Sequence, residues 1–517
     1  MEKSITKTFR QYEAGRDYKR RIGLYETVRR NERFYRGEQW NGNSLDLPQP
    51  VFNVVRRIID YLVCAVVSGS VSVSYTDDSM PFIDGENTKQ LVRAGVETLT
   101  KNAAYRWERE KMDEVMYKLM LDAAVSGDGI LYCWWDPSIK TGQPYSGDIV
   151  TQIIDNTNLF VADVNSRDLQ RQDYIILSGR ETVNSLRAEA IKYGVPEAEA
   201  MKIVADSDNL SDINGLSYAE LNDPDSHKAT CLIKFWRQDG IVWFEKSTKT
   251  CVIRRASTGM KKYPVCYFNW YPTKNSFHGT SPVSGMIANQ KFINTAYAMV
   301  MKHMTDTAFS KVVYDKTKIP EWTNEVGEAI AAVGGGNIAD AVSVVGVGKL
   351  EDGYLELIKN AISNTKEMNG ATETALGNVT PTNTSAIIAM QNAAKIPLIQ
   401  VRTAFCRCIE ELAAIWAEMI LCYYPTERQI PFYKDGDMSA EHADLGVLKN
   451  ALICSHVEVG NVERSSSLST VGILDKMLAG GHIDAKTYIE LLPEGSVQNR
   501  SKLIEGIIEK KEELSDE

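Results

Sequence analysis

No run of about 18 apolar residues occurs, so a membrane-spanning helix is not expected. The best candidate, Ile58 to Gly69, is too short and carries Asp60. The opening stretch, MEKSITKTFRQYEAGRDYKRR, has no apolar h-region, so no secretory signal is expected. Cysteine is sparse and scattered. Of nine, only Cys406 and Cys408 lie close together, and C-R-C is a poor zinc half-site. Reduced thiols in a cytosolic compartment are the economical reading.

Catalytic signatures are missing too. Gly346-Val347-Gly348-Lys349-Leu350 lacks the first Gly of a phosphate-binding loop and the Ser/Thr after its Lys. Gly279-Thr280-Ser281-Pro282-Val283 fails as a nucleophile elbow at its fifth position. The six histidines, at 227, 278, 303, 442, 456 and 482, show no ligand spacing and read as ordinary surface or core residues. Carboxylates are abundant, but nothing singles out one pair as acid and base. No catalytic residue, metal or cofactor is expected, and the sequence lends no positive support to an enzyme.

What is present is close to the average for globular proteins: 517 residues, 44% hydrophobic and 24% charged. That length allows a large core and suggests two to four domains. The net charge of −10 argues against a protein that coats nucleic acid by bulk electrostatics. The charge is uneven. Residues 1–36 hold eleven Lys or Arg against five Asp or Glu, hence +6, which leaves −16 for the rest. The basic segment faces something acidic, such as another subunit, a shell or DNA, or else is a solvated amphipathic helix.

Hydrophobic spacing predicts a helix over 17–36, stopped by Gly37, and an apolar helix over 51–68. A strand is expected at 71–75, a long helical block at 86–126, and a strand at 130–135 after Gly127-Asp128-Gly129. Residues 149–270 read as mainly β, with a helix near 182–193 and Asp239-Gly240 as a hairpin turn. Residues 205–226 read as an acidic surface loop. Helices are expected at 284–310 and 353–375. They flank an insert with strands at 311–315 and 341–347 and a helix near 321–332. A polar break at 376–385 precedes a very long helix to about 424, kinked at Pro397. Residues 430–462 return to mixed β character, and 466–514 read as a small helical module. Helices this long serve more often as struts in assemblies than in compact monomers. The fold class is α+β.

The order of these pieces resembles the portal proteins of tailed bacteriophages, the head-to-tail connectors. Asn31 to Trp40 (NERFYRGEQW) resembles that family's N-terminal Y-x-G-x-Q-W string. Gly279-Thr280-Ser281-Pro282, followed by Asn289-Gln290 and Asn294, resembles the entry to its stem. Thr384-Ser385 and Ala386 to Pro397 resemble the start of its long helix, and Gly481 to Pro493 its C-terminal module. The resemblance covers nearly the whole chain and rests on order and spacing.

By position, the resemblance implies an elongated subunit. It would have a mixed α/β wing at 1–280, stem helices at 281–310 and 353–375, and a small α/β clip at 311–352. A tunnel loop would follow at 376–384, then the long helix and remaining wing at 385–463, and a helical crown at 464–517. The implied function is a homo-oligomeric ring, usually of 12 subunits, at one capsid vertex of the virion, assembled in the host cytoplasm. Double-stranded DNA would pass through it during packaging and ejection. Implied partners are the terminase large subunit, the major capsid and scaffolding proteins, and a head-completion or tail adaptor protein. The alternatives are a DNA-packaging enzyme, motor or nuclease, and a long-helix scaffold unrelated to DNA.

Physical arguments give these parts candidate residues. A channel that moves DNA must not grip it, because each neutralised phosphate releases counterions and strengthens binding. An acidic body supplies a weakly binding lining. Lys359 and Lys366 would form sparse rings in it, or else sit in solvent outside the stem. In the tunnel loop, Asn378, Thr380, Thr382 and Asn383 can contact phosphates without strong point charge. The same loop also reads as a helix connection capped by Thr384 or Ser385. The stripe on 284–310, including Phe292, Met299 and Met301, is wide enough to pack against a neighbouring subunit, with packing inside one chain as the competing reading. In the clip, Glu321, Trp322 and Glu325 suit protein docking, unless Trp322 fills a miniature core.

Overall fold

The computed structural model describes residues 5–40, 42, 47–69, 71–206, 227–307, 311–322, 330, 331, 333, 334, 337, 341–345, 352–371, 396–434, 437–459, 474–478 and 480–492. The fold is α+β, as expected. Helices α1 (Lys7–Arg21) and α2 (Leu24–Arg36) divide the N-terminal helical stretch at Gly23, whose φ of 68° breaks the helix. Gly37, at φ 96°, ends α2 in the left-handed cap expected of it. Then come α3 (Val54–Val67) and β1 (Val71–Asp77).

The block expected as one helix over 86–126 is two, α4 (Glu86–Arg109) and α5 (Met112–Ser126). Lys111 between them has φ 51°. No Gly or Pro marks this break. It is imposed by packing, since Met112, Met116, Leu119 and Met120 are buried and turn α5 into the core.

Three strands, β2 (Asp128–Asp136), β3 (Asp148–Ile153) and a later β9 (Val265–Asn269), form an antiparallel sheet with β2 in the middle. A five-stranded antiparallel meander runs in chain order: β4 (Leu159–Val161), β5 (Tyr174–Thr182), β6 (Lys228–Gln238), β7 (Ile241–Ser247) and β8 (Val252–Ser257). Asp239 and Gly240 both have positive φ, 54° and 78°, as a two-residue type I′ turn requires. Helices α6 (Val183–Lys192) and α7 (Glu197–Ala200) lie between β5 and β6.

The long helix α8 (Pro282–Thr307) leads to the antiparallel pair β10 (Lys311–Tyr314) and β11 (Val342–Val345), and α9 (Asp352–Met368) returns along α8. Most of the helix expected near 321–332 lies outside the described residues. So does 385–395, the start of the long helix. Pro397 sits in a 3-10 turn, Ile396–Leu398, directly before α10 (Ile399–Tyr423). A hairpin, β12 (Ile430–Lys434) and β13 (Asp437–Glu441), follows, then α11 (Leu445–Leu448). Strand β14 (Ile453–Val459) returns to pair with β1, and α12 (Ala485–Leu491) comes last.

The main core joins α3, α4, α5, the three-stranded sheet and α10. Phe405, Ile409, Leu412 and Trp416 recur on α10 at helical spacing and are all buried. Full burial of each contributes roughly 1.5–3 kcal/mol. A second core under the meander gathers Ile130, Leu159, Ile175, Phe235 and Phe277. The basic N-terminal segment is partly consumed here. Lys19 is buried and donates to the carbonyls of Asn156, Thr157 and Leu159 at 2.7, 3.0 and 2.6 Å. Arg16 is buried beside Tyr12.

Candidate functional site

The first half of α8 is rooted in the body. Val283, Met286 and Ile293 are fully buried, and so are the polar Gln290 and Asn294. Buried amides must find partners; Asn294 finds one in Gln39 of Tyr35-Arg36-Gly37-Glu38-Gln39-Trp40, and Gln290 finds its own in Asn294 and the backbone of residues 52–55. Asn294 Nδ2 donates to Gln39 Oε1 at 2.7 Å, and Gln290 Nε2 donates to Asn294 Oδ1 at 2.9 Å. Gln39 Nε2 donates to Asn53 Oδ1 at 3.1 Å, and Asn53 caps α3 by accepting from Arg56 N. Gln290 Oε1 accepts from Val54 N and Val55 N at 3.0 and 3.3 Å, which serves the open N–H groups at the start of α3. Two strings far apart in sequence thus meet in one amide network, and their role is to hold α8 by its root.

A second tie holds the entry to α8. Asp128, buried in β2, accepts from Gly279 N (2.7 Å), Asn269 Nδ2 (2.8 Å), Tyr267 OH (3.0 Å) and Asn156 Nδ2 (3.1 Å). The oxygen that accepts from Asn156, Oδ2, also lies 2.7 Å from His278 Nδ1. Burial alone would raise the Asp128 carboxyl, but His278 and the Gly279 and Asn269 bonds outweigh it and hold it below its ordinary range. A Cβ on Gly279 would stand 2.8 Å from the carbonyl oxygen of Gly127, so close backbone approach requires this glycine. Ser281 Oγ donates to Ala124 O at 2.6 Å. In the sequence, Gly127-Asp128-Gly129 reads only as a breaker and His278 as an ordinary residue. The one available signal was an Asp between two glycines at a strand start.

The outer half of α8 is different. Met299 is 59% exposed and Met301 41%, and Phe292, on the open side of the rooted half, is 46% exposed, so the side chains expected in stem packing lie open on the single chain. On α9, Ile358 and Thr365 are buried, while Tyr354, Leu355 and Leu357 are exposed. The helix hairpin therefore carries apolar surface on both members. Lys359 is exposed and Lys366 half-buried with an interaction of its own. Seven residues apart, they lie on one side of α9, about 10 Å from each other.

Trp322 is half-buried and stacks on Tyr314 of β10, with ring centroids 5.4 Å apart, and Glu321 beside it is exposed. Glu325 lies outside the described residues, as do Asn378, Thr380, Thr382 and Asn383. Among the described residues, no group of three or more His, Cys, Asp or Glu is placed to hold a metal ion, and no helix is long and apolar enough to cross a membrane.

This geometry coincides with a family match. Residues 237–437 match the family model described as Phage P22-like portal protein. The match spans fewer than half of the 517 residues, but it contains the whole of α8, β10, β11, α9 and α10. It bears out the resemblance to portal proteins and supports a portal role in a phage-type virion. That family is structural rather than enzymatic. No curated protein matches the chain. Among solved structures, a chain of the "Virion of native gene transfer agent (GTA) particle" is similar at 10% identity and a TM-score of 0.36. It covers 85% of this chain and 89% of that one. A score of 0.36 is below the level at which two chains share an overall fold.

Proposed function

We propose that the chain is a non-catalytic portal subunit that forms a closed ring at one vertex of a phage capsid and gives passage to double-stranded DNA. The observation that carries this reading is the coincidence of the portal match with an anchored helix hairpin whose apolar outer side chains are exposed among the described residues. In a ring, α8 and α9 of one copy pack against the next copy in a heterologous, closing contact, which removes that surface from water. Residues 1–280 with part of 385–463 act as the wing, α8 and α9 as the stem, 311–352 as the clip and 464–517 as the crown. Residues 376–384 face the channel with Asn378, Thr380, Thr382 and Asn383, and Lys359 and Lys366 add sparse positive rings. The chain outside residues 1–36 sums to −16, which keeps the lining from gripping phosphate. Glu321, Trp322 and Glu325 of the clip dock the terminase large subunit during packaging and the tail adaptor afterwards. The major capsid and scaffolding proteins are further partners of the ring.

Negative-stain microscopy of the purified chain tests this. Rings with a central hole wide enough for duplex DNA are expected. A monodisperse monomer under every condition, or measurable ATPase activity, would overturn it.

A further inference from the structure

One face of α10 borders two clefts in succession. The first, about 440 Å³, lies between α10 and β9, and takes Gln400, Arg407 and Glu411 from the helix. The second, about 550 Å³, lies between α10, the β8–β9 loop and the start of β14, and takes Ala414, Glu418 and Leu421. These positions recur every three or four residues, or twice that, so they share one helix face. From Gln400 to Leu421 the face runs about 30 Å.

The rims of both clefts are cationic. Arg167 and Arg407 flank the first, and Lys261, Lys262 and Lys449 flank the second. All five are exposed, and none has a carboxylate partner within salt-bridge distance among the described residues. The acids of the groove are already engaged. Glu411 accepts from Gln170 Nε2 at 2.8 Å, and burial pushes its carboxyl above the ordinary range. Glu418 accepts from the backbone N–H groups of Lys261 and Lys262. Trp270, at the first cleft, is 1% exposed, and its Nε1 has no acceptor among the described residues. A buried N–H left in that state is costly until an acceptor reaches it. Leu421 and Leu452 add apolar surface to the second cleft.

We propose that this groove is a docking site for an acidic polypeptide segment with interspersed apolar side chains, lying along α10. Guanidinium groups suit carboxylates because their forked donors match both oxygens. The apolar surface and the two resident carboxylates suit a polypeptide better than the uniform charge of a phosphate backbone. Five exposed cations without a carboxylate partner among the described residues, on a chain of net charge −10, make this groove locally complementary to acid. The proposal does not depend on ring formation, so it stands or falls separately from the portal reading.

The test uses the full chain and a fluorescein-labelled peptide of Glu-Glu-Leu repeats, about ten residues long, enough to span the groove when extended. Fluorescence anisotropy at low salt should show binding that weakens as salt rises. The double variant R407E/K262E should bind about tenfold or more weakly, with an unchanged thermal melt. If it does not fold, R407Q/K262Q is measured in its place. Equal affinity of wild type and variant, or no binding at low salt, would refute the site. So would short duplex DNA that displaces the peptide at lower concentration than the unlabelled peptide does, which would make the groove a nucleic-acid site.

Discussion

Met299→Asp separates the stability of the subunit from that of its assembly. Met299 is 59% exposed on the single chain, so its replacement removes little buried surface there. An exposed substitution costs within about 0.5 kcal/mol, and the weaker helix propensity of Asp adds roughly as much again. The cost in a ring is of another order. If a neighbour covers this face of α8, each interface loses the newly buried part of the methionine, about 1–2 kcal/mol. It must also desolvate an unpaired carboxylate, at several kcal/mol. A total of about 4 kcal/mol per interface weakens each contact about a thousandfold. Sedimentation velocity over a concentration series, read beside a circular-dichroism melt, measures both quantities. The expected result is a folded chain with a nearly unchanged melt and no rings. Normal rings would show that this face is not at the interface. A melt lowered by many degrees would show that Met299 is buried within its own chain.

Deleting Val379 to Asn383 should leave ring assembly intact and impair DNA packaging or retention, scored by packaged DNA per particle; loss of assembly would make the loop structural. Gln290→Met nearly conserves volume but strips partners from Val54 N, Val55 N, Phe52 O and Asn294 Oδ1. At about 1 kcal/mol each it should cost about 4 kcal/mol in urea unfolding, and a loss below about 1 kcal/mol would refute the anchoring role. Asp128→Asn should cost about 3 kcal/mol at neutral pH, because a buried charged partner of His278 is removed. The Asp128 pKa is depressed in the folded chain. Its contribution is therefore complete above the ordinary carboxylate range and is lost as pH falls through the depressed value. The wild type should show this acid limb in stability against pH, and the variant should lack it.

Much of the architecture was legible because it is local. The meander strands, the Asp239-Gly240 turn, the stop at Gly37 and the α8–β10–β11–α9 order follow from side-chain periodicity and from backbone angles that only certain residues adopt. The division of 86–126 was not legible, since Lys111 in a left-handed conformation is a consequence of where α5 packs. The family strings were legible as strings, and their purpose was not. Gln39 and Asn294 are 255 positions apart, and nothing in either neighbourhood announces that one is the other's hydrogen-bond partner.

The sequence by itself determined the α+β class, the charge imbalance, the order of elements and the likeness to portal proteins, because composition and period are properties of short windows. Only the tertiary structure decided what the polar strings do, which cations are consumed inside the chain, and which apolar side chains remain exposed. Lys19 and Lys359 are the same residue type on helices. One is buried against three carbonyls and the other is exposed. The difference is what each helix packs against, and that depends on contacts between segments far apart in the chain.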